Sequence, residues 1–405
     1  IAWHILPYLC DIYYNISVMA SIAGGSLNYE VIVVGASSAG LYAAELLAAQ
    51  GRRVAVLDRA VEINPQERTY IITPGLYQVM DEIPSGLVQQ RIERFQIQSG
   101  QNQADIPLSA PDLIIDRADL ISALAARATA AGVEIITDCE FLGFESRQGK
   151  TLSKVNHQGS IRLLSADYLI GADGVHSAVR KSLGLEPVPS VPLLQAVIDL
   201  PVGWDPRTTK VWFDVDETPY FYWLIPRNKN QGVVGLISQQ SADIQSLLDG
   251  FLAQNHFKPY SFQSGQVALH AKNPSPECSA DSLSVMLVGD AAGQVKVTTV
   301  GGTVTGFGGA QDVVSRILGG NNHRVQMNVN KELALHHYIR RLLDQMAPGD
   351  YENLIEMLNP SVTSFLSCHD RDNMRSHFWK LAILQPRFIP LGLKLLSRSI
   401  LNGSN

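Results

Sequence analysis

The sequence predicts an α/β fold in which a parallel βαβ domain carries an inserted antiparallel sheet and a helical C-terminal region. Three observations support this fold class. A strand, a glycine-rich turn, a helix and a second strand follow one another near residue 30, short alternating strands fill residues 193–270, and helical spacing of apolar residues begins near residue 311. The chain has 405 residues, which at about 150 per domain allows two or three domains.

Composition excludes several classes of protein. The chain has 32 basic and 38 acidic residues, and its net charge of −6 argues against a nucleic-acid-binding protein with a basic face. Hydrophobic residues make up 46% of the chain, which excludes a disordered protein. The four cysteines (Cys10, Cys139, Cys278 and Cys368) lack metal-ligand spacing. We therefore expect free thiols in a reducing, cytoplasmic compartment, and no metal site.

The first 26 residues are apolar and aromatic, with Asp11 as their only formal charge. They lack the basic region of a signal peptide, and polar residues and a proline interrupt the apolar run that a membrane span needs. The chain begins with Ile1 rather than Met. We interpret residues 1–18 as an upstream extension, with a membrane anchor as the weaker alternative.

The strongest local pattern begins with a β-branched run at residues 31–34, which predicts a buried strand. Gly35-Ala-Ser-Ser-Ala-Gly40 follows and opens a helical pattern, and a second strand ends at Asp58. This order is typical of a Rossmann-like dinucleotide-binding domain, where the helix N-terminus faces a pyrophosphate. Asp58 would accept hydrogen bonds from ribose hydroxyls. Ser37 occupies the position of the usual second glycine.

Two later strands also end in an aspartate at the start of a helical turn. Residues 168–171 lead into Ala-Asp173-Gly, and residues 285–288 lead into Gly-Asp290-Ala-Ala-Gly. Such an aspartate can bind a sugar-alcohol hydroxyl at the edge of an α/β sheet. Taken singly, each is also a good helix N-cap.

The segments GASSAG, GADGVHSAVR and GDAAGQVKVTTVGG resemble, in order and spacing, the three FAD motifs of the flavoprotein hydroxylase superfamily. The third is most similar to that of the geranylgeranyl reductase family. The resemblance covers roughly residues 29–310 and implies FAD as cofactor, with NADPH or a protein as electron donor. The cofactor-binding positions that it implies are Gly35, Ser37, Ser38, Ala39, Gly40, Asp58, Arg59, Arg117, Asp173, Gly289, Asp290, Gly301 and Gly302.

The third motif departs from the family pattern at two positions. Val297 replaces a typical Pro and Val300 a typical Gly, so β-branched side chains are expected near the isoalloxazine ring. Lys296 adjoins the same loop. It could tune the flavin potential, although a solvated surface lysine is the favoured interpretation.

Residues 193–270 contain short strands separated by Pro, Asn and Gly turns, which predicts an antiparallel sheet over the flavin. The run at residues 232–237 is expected to form a hairpin with the strand before it, turning through residues 227–230. The segment Phe221-Tyr-Trp-Leu-Ile-Pro226 resembles signatures of both geranylgeranyl reductases and flavin halogenases, and matches neither fully. We expect Phe221, Trp223 and Ile225 to line an apolar substrate pocket, although ordinary core is the simpler interpretation for each ring. The chain has no lysine before Lys150, which argues against the halogenases, since they need a catalytic lysine early in the chain.

The last 35 residues are basic. Residues 371–405 carry six Lys and Arg against Asp372 alone, a charge of +5. This suits either a terminal helix docked on the body of the protein or peripheral contact with an anionic membrane. His336 and His337 lie in a charged helical stretch and are expected to be exposed.

The domain prediction is discontinuous. Residues 1–26 form an N-terminal extension, and residues 326–405 form a C-terminal helical region. The FAD-binding domain comprises residues 27–80, 111–190 and 275–325. The substrate domain comprises residues 81–110 and 191–274. The expected activity is FAD-dependent reduction of carbon–carbon double bonds in an isoprenoid or other apolar substrate. The alternatives are an NADPH- and O₂-dependent monooxygenase and a flavin-binding protein without turnover. No catalytic residue is identifiable from the sequence.

Overall fold

The computed structural model describes residues 28–63, 66–80, 83, 86–239, 243–269, 277–280, 283–320, 329–369 and 371–402. The extension predicted at residues 1–26 and the side chains of Cys10 and Cys278 lie outside this part of the chain. The structure contains two large sheets, a small three-stranded sheet and a set of C-terminal helices.

The first sheet has six strands and is parallel except for one edge strand. In spatial order they are β16 (Glu277–Ala280), β17 (Leu283–Leu287), β10 (Tyr168–Gly171), β1 (Val31–Val34), β2 (Val54–Leu57) and β6 (Glu134–Ile136), and β16 is antiparallel to β17. The strands β1 and β2 are buried along their whole length, as their continuous apolar runs predict. The crossovers between parallel strands are helical or longer excursions, as a parallel sheet requires.

Helices cover one face of this sheet and a small sheet covers the other. The helices α1 (Ser38–Ala48), α3 (Arg117–Ala130) and α6 (Thr303–Ile317) bury their apolar sides against it in one core. On the opposite face, a three-stranded sheet packs with the short helix α4 (Ala178–Ser182) in a second core. Its strands are β7 (Cys139–Arg147), β8 (Lys150–His157) and β9 (Ser160–Leu164). The parallel sheet is therefore buried on both sides, and only its strand ends remain open to a ligand.

The second large sheet has eight strands. Their spatial order is β15 (Pro259–Ala268), β11 (Ser190–Asp199), β14 (Gln231–Ile237), β13 (Tyr222–Pro226), β12 (Thr208–Trp212), β4 (Val88–Ser99), β5 (Asn102–Asp116) and β3 (Thr69–Ile72), and α2 (Leu76–Val79) follows β3. All neighbours are antiparallel except β12 and β4. The predicted hairpin is present, with Pro226 opposite Gly232.

The two faces of the second sheet have different partners. On one face, helix α5 (Ile244–Gln254) packs against the sheet, and Phe251 stacks on Tyr222 with ring centroids 4.2 Å apart. On the other face, Trp223 and Ile225 join an apolar cluster that includes Val295, from the segment after β17. The alternation of side chains along β13 therefore directs Trp223 and Ile225 toward the first sheet's strand ends.

The C-terminal region is helical, as the spacing of its apolar residues predicts. It comprises α7 (Val329–Leu343), α8 (Pro348–Glu356), α9 (Pro360–Ser367), α10 (Phe378–Leu384) and α11 (Phe388–Asn402). The fold class is thus confirmed: a Rossmann-like α/β domain, an antiparallel-type second sheet and C-terminal helices. No helix within the described residues is long and apolar enough to cross a membrane. The domain boundaries stay a prediction.

Candidate functional site

The turn between β1 and α1 needs glycine at both predicted positions. Gly35 has a φ of +103°, and a Cβ atom there would lie 2.5 Å from the carbonyl oxygen of Ala172. A Cβ atom on Gly40 would lie 2.5 Å from the carbonyl oxygen of Gly35. The helix therefore starts in close contact with the strand, and its first turn lies at the carboxyl edge of the sheet.

Ser37 begins helix α1. Its Oγ accepts a hydrogen bond from the Gly40 N–H at 3.2 Å, which satisfies one of the free donors at the helix N-terminus. Ser38 and Ala39 occupy the first turn, and the Ala39 side chain faces Gly289 of the third motif. Where the usual motif has a flexible glycine, this chain therefore has a serine that caps the helix.

Asp58 holds this turn in place. One carboxylate oxygen accepts a hydrogen bond from the Ala36 N–H at 2.7 Å, and the other accepts one from the Ala60 N–H at 2.9 Å. Each oxygen keeps a further lone pair that could accept a ribose hydroxyl. Arg59 follows with its side chain exposed.

Asp173 lies just before the helix of the second motif and accepts hydrogen bonds from its first residues. Its carboxylate accepts hydrogen bonds from the Ser177 hydroxyl at 2.5 Å and from the Val179 N–H at 3.1 Å. Burial raises the pKa of Asp173 above its usual value, although these hydrogen bonds act in the opposite direction. The N-cap of this helix is Ser177, and the Asp173 carboxylate ties the turn beside Gly35 to the start of the helix. Its predicted contact with the cofactor stays a prediction.

The third motif approaches the first. Gly289 has a φ of +63°, and a Cβ atom there would lie 3.2 Å from the Ala39 side chain. The neighbouring Asp290 lies next to the start of α6, where a Cβ atom on Gly302 would be 3.6 Å from the Asp290 Oδ1. Asp290 and the first helix turn of α1 therefore lie along the same edge of the parallel sheet.

Two arginines act on Asp290. Burial raises the pKa of Asp290, and the positive charges of Arg68 and Arg117 lower it, so that the net shift is upward. Arg117, which was expected near the cofactor, is the first residue of α3. Arg68, which the sequence did not indicate, donates a hydrogen bond to the Tyr70 hydroxyl at 2.7 Å.

The loop between Val295 and Gly302 carries the two departures from the family pattern. The Lys296 N–H bonds the Gly301 carbonyl at 3.1 Å, and the Val300 N–H bonds the Lys296 carbonyl at 2.7 Å, which closes a tight turn. Val300 has a φ of +53°, a conformation that costs an L-residue about 1–2 kcal/mol and that glycine adopts freely. Val297 is buried.

Two expectations about charged groups near this loop are wrong. Lys296 is buried, not solvated, and its ammonium pairs with Asp372, which also accepts a hydrogen bond from Thr73. His336 is fully buried, not exposed, and its Nδ1 pairs with the Thr298 hydroxyl. Both side chains connect the loop to the C-terminal region, because the C-terminal helices pack over it.

The three predicted pocket residues share one apolar cluster. Trp223 and Ile225 are buried, Phe221 is half-buried, and all three pack in the cluster that contains Val295 and borders Val300. A buried polar network holds the indole. Trp223 Nε1 donates to the Gln195 Oε1 at 3.2 Å, and the Gln195 amide donates to Gln263 at 2.6 Å. Whether the cluster encloses a substrate pocket stays a prediction.

Comparison with known proteins identifies the family. A family model described as an FAD binding domain matches residues 28–317. The chain belongs to this family of FAD-binding proteins. A geranylgeranyl diphosphate reductase of Rhodobacter capsulatus is 32% identical over 51% of the chain and 54% of its own length. A digeranylgeranylglycerophospholipid reductase of Methanothermobacter thermautotrophicus is 27% identical over 84% of the chain and 94% of its own length.

A solved structure shares the fold. The chain superimposes on a geranylgeranyl bacteriochlorophyll reductase-like protein from Thermoplasma acidophilum with a TM-score of 0.75 at 19% identity, over 92% of this chain and 100% of that one. Together, the family and the relatives show that the chain is an FAD-dependent oxidoreductase of the flavoprotein hydroxylase superfamily, near the geranylgeranyl reductases.

The residues of the site fit FAD. Gly35, Gly40 and Gly289 keep the strand ends free of side chains, and α1 directs its N-terminal N–H groups to the same edge, as a pyrophosphate requires. Asp58 lies beside that helix and would accept hydrogen bonds from the ribose of FAD, and Asp290 lies farther along the edge. FAD, when bound, supplies the hydride chemistry, and the chain supplies binding and orientation.

Three residues that support this site were not singled out from the sequence. Gln294 is fully buried, and its Oε1 accepts a hydrogen bond from the Gly289 N–H at 2.7 Å. Arg180 donates to the Ala291 carbonyl at 3.3 Å and so joins the second motif to the third. Arg68 acts on Asp290 as described. Only Arg180 had a local signal, since it closes the second motif, whereas the partners of the other two depend on the assembled fold.

Proposed function

We propose that the chain reduces carbon–carbon double bonds of an isoprenoid, with hydride from reduced FAD passing to one alkene carbon and a proton to the other. One observation carries the proposal. The apolar cluster around Phe221, Trp223 and Ile225 meets Val295 and Val300 of the loop that adjoins the cofactor site. An alkene chain without polar groups needs such a surface, because burying apolar area is its main source of binding free energy.

The names of the relatives support the substrate class. Their names specify geranylgeranyl diphosphate and digeranylgeranylglycerophospholipid, which share a long isoprenoid chain and differ in the headgroup. The isoprenoid chain that both substrates share is apolar, as is the cluster around Trp223. For the electron donor we propose NADPH, which would dock transiently because the chain shows a single dinucleotide fingerprint.

The test begins with the purified protein under anaerobic conditions. FAD should be released on denaturation, and the protein, once reduced chemically, should be reoxidised by geranylgeranyl diphosphate or by a digeranylgeranylglycerophospholipid, with one pair of hydrogens gained per double bond. Substrate-dependent O₂ consumption with an oxygenated product would instead establish the monooxygenase. Flavin that neither an isoprenoid nor O₂ reoxidises would indicate a binding protein without turnover.

Two variants separate cofactor binding from substrate binding. Asp290→Ala should weaken FAD retention on gel filtration, because it removes the carboxylate at the cofactor edge. Phe221→Ala should retain FAD but raise KM for the isoprenoid by roughly tenfold, since a half-buried ring contributes about 1–2 kcal/mol. Phe262→Ala is the matched control, because Phe262 is 47% exposed on β15. Equal effects of the two Phe substitutions would contradict the assignment of the pocket.

A further inference from the structure

The last two helices expose an unusual amount of apolar surface. Sixteen large hydrophobic side chains are exposed in the described part of the chain, and eight of them lie within its last 25 residues. These eight are Phe378, Trp379, Ile383, Leu384, Ile389, Leu393, Ile400 and Leu401. Helix α10 has no buried residue at all. We call the exposed side chains of α10 and α11 the C-terminal apolar surface.

On α11 these side chains form a stripe. Ile389, Leu393 and Ile400 are 52%, 62% and 63% exposed and recur at spacings of four and seven residues, which places them on one side of a helix. The half-buried Leu396 lies between them on the same side. Leu395, on the far side, is 3% exposed. The helix is therefore apolar on two sides, and only one is used to pack against the protein.

Ion pairs fix which side faces outward. Lys394 pairs with Asp350 of α8 at 2.6 Å, and Arg398 pairs with the other oxygen of Asp350 at 2.5 Å. Arg398 also donates to the Gln345 carbonyl at 3.0 Å. These contacts fix the rotation of α11 about its axis. The stripe therefore faces solvent because the helix is anchored through its opposite side.

The exposed charges within residues 371–402 have one sign. Residues 371–402 contain a single carboxylate, Asp372, which is buried against Lys296. Arg375 and Arg387 are exposed, and Lys380 lies 5.9 Å from the ring centroid of its neighbour Trp379. The exposed charge of this segment is therefore positive only. A second copy of the chain, related by a two-fold axis, would bring like charges together, which disfavours self-association.

We propose that α10 and α11 dock the enzyme on an anionic lipid surface. The stripe of Ile389, Leu393 and Ile400 would enter the boundary between headgroups and acyl chains, with Trp379 at the interface and the cations near lipid phosphates. The inference rests on the proposed function in one respect, since a substrate with a long isoprenoid chain resides in a membrane. The charge and the exposed surface are independent of it.

The test uses the full-length, FAD-loaded protein and vesicles of phosphatidylcholine, with or without phosphatidylglycerol. We expect co-sedimentation only when phosphatidylglycerol is present. Leu393→Gln/Ile400→Gln should weaken binding roughly thirtyfold, at about 1 kcal/mol for each partly inserted side chain. Lys380→Gln/Arg387→Gln should weaken it by a similar factor, at about 1 kcal/mol per cation. The matched control is Leu142→Gln/Ile161→Gln, whose side chains are 44% and 56% exposed on the small sheet, and it should bind normally.

Several outcomes would overturn the proposal. These are equal binding to both vesicle types, normal binding of the Leu393→Gln/Ile400→Gln variant, a dimer in solution that this variant abolishes, and loss of binding when residues 1–26 alone are deleted. FAD content and melting temperature verify that each variant is folded. Isoprenoid reduction in detergent micelles tests the proposed function separately. Vesicle binding without reduction refutes only the function, and reduction without vesicle binding refutes only the docking surface.

Discussion

The buried ion pair of Lys296 and Asp372 lends itself to a quantitative test. The side chains are 5% and 2% exposed, and they join the loop beside the cofactor site to the segment after α9. Lys296→Met keeps a long apolar side chain of similar shape but removes the ammonium. The substitution leaves the Asp372 carboxylate buried without its lysine partner, although the Thr73 hydroxyl still donates a hydrogen bond to it and the charge of Arg371 still acts on it.

The expected loss of stability follows from that burial. Removing one partner of a buried pair costs about 3–5 kcal/mol, because the remaining charge is not compensated. The entropy of unfolding is about 2.1 cal/mol/K per residue, or roughly 0.85 kcal/mol/K for 405 residues, so the melting temperature should fall by roughly 4–6 °C. Replacing both partners, as Lys296→Met/Asp372→Leu, should recover more than half of the loss, since no charge is then stranded.

The pH dependence gives a second measurement of the same effect. Burial raises the pKa of Asp372, but Lys296 and Thr73 outweigh it and hold the pKa below the ordinary value of 3.8. The pair therefore contributes stability above that value and loses its contribution as the pH falls through the lower, folded-state pKa. Lys296→Met removes the two largest contributions that oppose burial, so the pKa of Asp372 should rise in the variant, even though Thr73 and Arg371 still lower it. The variant's deficit should therefore shrink as the pH falls from about 7 toward about 4, because the stranded carboxyl takes up a proton.

Thermal and denaturant unfolding of the FAD-loaded protein measure both effects. Lys258→Met is the matched control, since Lys258 is exposed, and it should change the free energy of unfolding by less than about 0.5 kcal/mol. The reasoning would be refuted if Lys296→Met cost no more than this control, or if its deficit were the same at both pH values.

Two further predictions concern the glycine turn and the contact between α8 and α11. Gly40→Ala should destabilise the protein by about 1–3 kcal/mol and weaken FAD retention, because its Cβ would collide with the Gly35 carbonyl. Its control, Gly250→Ala on the exposed side of α5, should instead stabilise by about 0.5–1 kcal/mol, and the same sign for both would contradict the argument. Burial raises the pKa of Asp350, but hydrogen bonds from Lys394, the Ala347 N–H and Arg398 outweigh it and hold the pKa below 3.8. The ionised Asp350 therefore stabilises the fold above pH 3.8, and this stabilisation is lost as the pH falls through the lower, folded-state pKa. Asp350→Asn should therefore lower the free energy of unfolding by about 1–2 kcal/mol at neutral pH, which is less than for a fully buried pair because both cations are partly exposed. The substitution should also increase hydrogen exchange in α11. Unchanged exchange would show that these ion pairs do not hold the helix.

Local sequence was sufficient where neighbouring residues determine the structure. The turn from Gly35 to Gly40 and the hairpin closed by Pro226 and Gly232 were predicted close to where they occur. In each case the determining contacts are made within a few residues, through glycine conformation, helix capping or strand pairing. The same holds for Asp173, whose partners lie four and six residues away.

The errors share a different cause. Lys296 and His336 were expected in solvent, because lysines and charged helices usually lie there. Lys296 pairs with a residue 76 positions away, and His336 with Thr298, 38 positions away. The local sequence around each of these two residues is typical of a solvent-exposed segment. Only the packing of the C-terminal helices over the third motif makes both positions interior.

The sequence by itself therefore determined the parallel sheet and its dinucleotide-binding turn, because glycine positions and hydrophobic periodicity act over short distances. The resemblance of three motifs to a known family specified FAD. The tertiary structure alone decided what surrounds the cofactor loop. It brought Phe221, Trp223 and Ile225 together with Val295, and it turned one apolar side of α11 outward. Burial is a property of the assembled chain, since the free energy of removing a side chain from water depends on neighbours that are often distant in the sequence.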